Sequence, residues 1–336
     1  MIENERKLLI EKLKKNKVNF KIINDSLLFV PAFGGRLFAI FLKDNNLLWT
    51  NPDFRNRWNK GGHRTWIAPE GGKGGFFFSL SGKKWNVPPS LDPASYSMNY
   101  FKEKERIDLQ SDVNIKNNSN QVFNLEITRT YSEIKCSPCS ISFTFQHQAR
   151  NKNSQQFINT IALWSILQVQ PPGYMFIGNN DLLLPESWSD KYYEKIPEGF
   201  LMEENGYVMI RIEGGKRFKS GFHPASDRGK LAYIFKKATD FCLVTKECQL
   251  FKDNIYIDKP IADYKGNGHP LQVYNHYETG RKAFAELECH SPSISLKPGA
   301  RYGFDIKISA LLGKKKTVEE KLEEFLGLSL KRSIDV

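Results

Sequence analysis

Short alternating or continuous apolar runs, broken by turn residues, dominate this chain. Residues 7–14 (KLLIEKLK) are the first exception. Leu8, Leu9 and Leu13 fall near one helical face and predict a short amphipathic helix. From Phe20 the texture becomes strand-like: 20–23, 27–30 and 36–41 are apolar, and Asn-Asp, Pro-Ala-Phe-Gly-Gly and Lys-Asp-Asn-Asn separate them. Residues 122–131 and 139–147 alternate as half-buried strands do, and 157–169 is apolar enough for a central strand. Further strands are predicted at 207–211, 231–235, 241–245, 271–276, 283–289 and 302–311. A closing helix is predicted at 318–326, with Glu319, Glu320, Glu323 and Glu324 on its outer side.

Strands do not alternate with helices, which argues against a parallel doubly wound sheet. No repeat of fixed period and no Ser/Gly-rich linker divides the chain. So many antiparallel strands in one unit predict an all-β, two-sheet sandwich. The expected organisation is an N-terminal helix over 1–19, a sandwich over 20–312, and a C-terminal helix and tail over 313–336.

Composition narrows the function classes. The 336 residues include 49 Lys and Arg against 37 Asp and Glu, a formal net charge of +12. Lys outnumbers Arg 35 to 14 and is scattered, with no nucleic-acid-binding motif beside it. The charge therefore reads as a solvated basic surface, compatible with an anionic small ligand, and nucleic-acid binding is not expected. No apolar run reaches the roughly 20 residues of a membrane span, so no membrane partner is expected. The five cysteines include Cys136 and Cys139 in CxxC spacing, but a zinc site needs about four ligands and the next Cys is Cys242. A hairpin corner with two free thiols is the simpler reading. Free thiols and an N-terminus without a signal-peptide layout predict a cytoplasmic protein. No His pair has metal-ligand spacing. Oligomeric state leaves no mark in the sequence.

Three segments concentrate chemistry. Residues 61–75 (GGHRTWIAPEGGKGG) set His63, Arg64, Trp66 and Glu70 among six glycines. They supply base, cation, stacking platform and acid on a backbone able to approach a ligand. Residues 271–278 precede 283–290, where Glu286 and Glu288 alternate with apolar residues and so share one face of a strand. Two carboxylates there require a wet face or a joining cation, and their repulsion raises one pKa. The polar turn 221–229 offers His223 and Arg228 to a sugar hydroxyl or a phosphate, and Trp164 closes a strand rich in rings. His147, His269 and His290 read as structural.

Together these segments resemble the galactose mutarotase-like superfamily, which includes aldose 1-epimerases. The likeness spans roughly residues 20–312. It is carried by 62–72 (GHRTWIAPEGG), by the late Glu286-Leu-Glu288 strand and by the turn 296–299 (LKPG). It implies a β-supersandwich with an open groove for a monosaccharide or sugar derivative. It also implies a cofactor-free ring opening, with Glu288 as general base and a His as general acid. By that match His63, or failing it His223, is the acid. Arg64, Trp66, Glu70, Trp164, His223, Arg228 and Glu286 form the expected binding set. The stretch 159–165 (NTIALWS) lacks the His that epimerases carry in an Asn-His-Thr-type strand. A non-catalytic carbohydrate-binding protein on the same fold is the competing expectation, and a polysaccharide lyase or hydrolase the next.

Overall fold

The computed structural model describes residues 4–336 apart from 56–57, 80, 159, 180–184, 189–191, 205, 225–226, 259–265, 332–333 and 335–336. Among the described residues the strands form two ten-stranded sheets, with every ladder antiparallel. In the first sheet Lys21–Ile23, Leu27–Val30 and Arg36–Leu42 lead to His63–Ala68. Ala162–Val169, Ala285–His290, Leu271–Asn275, Phe218–Phe222 and Glu186–Ser187 follow in that order. Asn45–Asn46 pairs at the side of Arg36–Leu42. The second sheet runs from Leu201–Glu204 through Asp227–Lys237, Asp240–Cys248 and Arg301–Gly313 to the long hairpin Val122–Cys136 and Ser140–Asn151, and on to Ser97–Phe101.

The main core lies between the sheets. Leu167, Leu287 and Val273 face Phe145, Ile308 and Val244 there, all buried. The outer faces are covered too. The C-terminal helix Lys315–Leu326 lays Val318, Leu322 and Leu326 on Phe176, Ile234 and Leu243. It ends at Gly327, whose positive φ of 72° suits glycine, with its N–H on the Glu323 carbonyl at 2.7 Å. The N-terminal helix Glu5–Lys15, capped by Asn4, sets Leu9 and Leu13 on Leu28, Val30 and Phe38. Burying each such leucine is worth about 2 kcal/mol. Leu8, predicted on the same face, instead points to solvent at 42% exposure.

The predicted strands fall close to the observed ones. Two that build the site, His63–Ala68 and Phe218–Phe222, escape the pattern because polar residues are buried on both their faces. Gly61 and Gly62 serve the fold at the entry to the first of these. A Cβ on Gly61 would stand 2.4 Å from the Trp49 carbonyl oxygen, and one on Gly62 2.6 Å from that of Leu37. Their φ values of 96° and 77° also favour glycine. Cys136 and Cys139 are free thiols at a hairpin corner, in keeping with their spacing.

Candidate functional site

The register of the first sheet decides which side chains meet. Arg64 lies across from Ile166, and Ile166 from Glu288; Trp66 lies across from Trp164, and Trp164 from His290. Paired residues share a face, so Arg64, Trp66, Trp164, Glu286 and Glu288 emerge together on the side turned away from the second sheet. They line a pocket of about 220 Å³, walled by Trp58, Phe78, Trp85, Tyr192 and Tyr193. A wider groove of about 780 Å³ runs beside the C-terminal helix, but the charged side chains lining it all reach solvent.

Two buried ion pairs form the pocket floor. Arg64 donates to Glu286 Oε1 at 2.7 Å, and Gln168 Nε2 donates to the same oxygen at 2.8 Å. Lys219 Nζ lies 3.0 Å from Glu288 Oε2, which also accepts from Trp164 Nε1 at 2.9 Å. Glu288 Oε1 is buried with no hydrogen-bond partner. Orphaned buried carboxylate oxygens are costly. One that lines a pocket is therefore an acceptor in waiting.

The two glutamates titrate apart. Burial pushes Glu286 up, Arg64 opposes and the Glu288 charge adds, so it sits at about 7. Burial also pushes Glu288 up, but the adjacent Lys219 ammonium and His290 together outweigh it and hold the carboxyl at about 2. Lys219 is raised in turn. Glu70 is half-buried where the His63–Ala68 strand runs out, and Trp85 Nε1 donates to its Oε1 at 2.9 Å. Burial lifts it to about 7 against the pull of Lys219. His276 Nδ1 shares a hydrogen bond with Tyr274 OH at 2.7 Å, and burial first, then Arg217, lowers the His276 pKa to about 3.

Several sequence expectations are corrected. His63 does not enter the pocket. Odd and even positions of its strand face opposite ways, and His63 points between the sheets, 2.8 Å from Ser165 Oγ and 3.3 Å from Tyr131 OH. Burial and then the Lys246 charge lower its pKa well below the ordinary value, so the ring is neutral. His223 follows a strand two places removed from that of Glu288 and does not line the pocket. The Arg228 side chain lies outside the described residues. Trp66 and Trp164 do line the pocket, but cations already cover their faces. Arg64 stands 3.9 Å from the Trp66 centroid and Lys219 4.7 Å from that of Trp164. The half-exposed Phe, Tyr and Trp rings of the pocket are Trp58, Phe78, Trp85, Tyr192, Tyr193 and Tyr274, and Arg64 also stands 5.1 Å from the Trp58 centroid. Arg64, Glu70, Glu286 and Glu288 converge as expected. His290, read as structural, stacks on Trp164 at 5.0 Å with Nε2 3.8 Å from Glu288.

Sequence reasoning passes over Lys219, Arg217, Asp258 and the supports behind the site. Lys219 leaves no distinct signal, being the third cation in 216–219 (KRFK). Arg36 leaves none. It is fully buried, bridges Asp92 at 2.6 Å and donates to the Gly61 carbonyl at 2.7 Å; Asp92 in turn accepts from Trp66 Nε1 at 2.8 Å. These linked contacts fix the strand that carries Arg64.

A model of a family of unknown function, DUF6786, matches residues 45–335. The chain belongs to that family. No curated protein matches it. Among solved structures, a galactose mutarotase-like protein from Lactobacillus casei superposes with a TM-score of 0.54 at 12% identity, covering 87% of this chain and 100% of that one. A galactose mutarotase related enzyme from Lactobacillus acidophilus superposes with a TM-score of 0.50 at 10% identity, covering 88% and 98%. The DUF6786 chain therefore has the galactose mutarotase-like fold, and at these identities the likeness speaks to fold alone.

Proposed function

We propose that this DUF6786 protein binds a monosaccharide in the pocket over Glu286 and Glu288 and exchanges its anomers without a cofactor. The observation that carries the reading is the buried, unpartnered Glu288 Oε1 beside a second carboxyl poised near neutrality. Environments that push two carboxyls apart create a base and an acid. Glu288 is ionised and takes the proton of the anomeric hydroxyl. Glu286 replaces the His expected from the resemblance. Arg64 and Gln168 hold its Oε1, so Oε2 carries the proton given to the ring oxygen. The bond from the anomeric carbon to the ring oxygen breaks, a carbonyl forms, and closure on the other face returns both protons. The pocket volume suits one small ligand better than an oligosaccharide chain.

The test is anomer exchange followed by polarimetry or NMR across a panel of aldoses. Glu288→Gln is expected to abolish enzyme-dependent exchange while the protein stays folded. Undiminished exchange in that variant overturns the assignment. The Lys219 contact also favours a second reading, since an ion-paired carboxylate of low pKa is a weak base. Sugar binding with no acceleration of exchange selects a non-catalytic carbohydrate-binding protein.

A further inference from the structure

The two ends of the pocket differ in charge. Arg64 is engaged by Glu286 and Lys219 by Glu288. Arg217 stands on the Tyr277 ring, near Tyr274 and His276, one position before the strand Phe218–Phe222. At the opposite end Glu70 has no cation within 4 Å among the described residues; its Oε1 takes only the Trp85 indole N–H. Its charged neighbours are Lys219, Asp258 and Glu288. Asp258 is buried, and its Oδ2 accepts no hydrogen bond and lies 3.9 Å from Lys219 Nζ. Glu288 is wholly buried and its Oε1 accepts no hydrogen bond. Among the described residues three carboxyls thus share one ammonium, beside the half-exposed rings of Phe78, Trp85 and Tyr192. Carboxylate together with ring faces is the chemistry that recognises an ammonium group.

We infer that the sugar taken by this pocket is an amino sugar, its ammonium group seated against Glu70 and the surrounding aromatic faces. The inference rests on the sugar-binding reading above and names its substrate class. The ligand's cation joins Lys219 in serving the three carboxyls, and Glu70 ionises as it binds. Part of the protein therefore releases a proton on binding near neutral pH.

Calorimetry near pH 7 with glucosamine, glucose, N-acetylglucosamine and ethanolamine tests it. Glucosamine is expected to bind at least about tenfold more tightly than glucose or the acetylated sugar. Its measured enthalpy is expected to depend on the buffer, as proton release requires. Glu70→Gln is expected to bring glucosamine to within about twofold of glucose. The same loss is expected in the unaltered protein as Glu70 is protonated below neutrality, which keeps the test decisive should the variant misfold. Equal binding of glucosamine and glucose, or a preference that survives Glu70→Gln, overturns the amino-sugar inference and leaves sugar binding standing. Ethanolamine binding as tightly as glucosamine, with glucose inert, overturns both.

Discussion

Arg64 and His63 are consecutive in the chain and belong to opposite sides of one sheet. Arg64 meets Glu286 at 2.7 Å in the pocket, and His63 meets Ser165 at 2.8 Å between the sheets. The first half of the glycine-rich segment, with the features of one functional loop, is therefore a buried strand, His63–Ala68, with two tasks. His63→Gln tests the division. Losing the imidazole takes one partner from Tyr131 and one from Ser165, which keeps Lys246, and a drop of roughly 1–3 kcal/mol in unfolding free energy is expected by urea titration. Sugar affinity is expected to stay within about twofold of the starting value. A loss of affinity without a loss of stability would return His63 to the site.

The floor predicts an asymmetric pH profile. Glu286 must be protonated to act as the acid, so exchange is expected to fall as pH rises through about 7. Glu288 stays ionised down to about 2, so it gives kcat at saturating sugar no acid limb above that pH. Arg64→Met removes the cation that pulls Glu286 down. The falling limb should then move to higher pH, read from kcat against pH.

The same shifts set the pH dependence of stability, with opposite signs. Glu286 is raised above the ordinary 4.5; its contribution is complete below that value and is lost as pH rises through about 7. Glu288 is depressed below 4.5; its contribution is present above that value and is lost as pH falls through about 2. Urea midpoints should therefore show a flatter alkaline loss in Glu286→Gln and a weaker acid loss in Glu288→Gln.

Lys219 is expected to be the most sensitive single position. Lys219→Met leaves Glu288 buried and without its cation, a situation that costs about 3–5 kcal/mol. Thermal denaturation measures it. If Lys219→Met and Glu288→Gln together restore most of the stability, the cost lies in the uncompensated carboxylate rather than in lost packing.

Gly62→Ala is expected to destabilise by about 3 kcal/mol, because the residue has positive φ and the added Cβ meets the Leu37 carbonyl oxygen. Sugar affinity in the fraction that folds should be unchanged. Gly61 and Gly62 make room for backbone, not for a ligand.

Local pattern is enough for the all-β architecture, for most strands and for the two helices. Alternation reports a strand wherever one face is apolar and the other wet, as in Val122–Cys136 and Arg301–Gly313. The same period of two puts Glu286 and Glu288 on one face. The pattern is silent where both faces are buried and polar groups are paired inside, which is why His63–Ala68 and Phe218–Phe222 escape it. What the chain determined by itself, then, was the sandwich and the shared face of the two glutamates, because both follow from periodicity. Only the tertiary structure decided that Lys219 reaches Glu288, that Arg64 reaches Glu286 and that His63 turns away. Those outcomes depend on register between strands up to 222 residues apart (Arg64 and Glu286), which spacing along the chain does not encode.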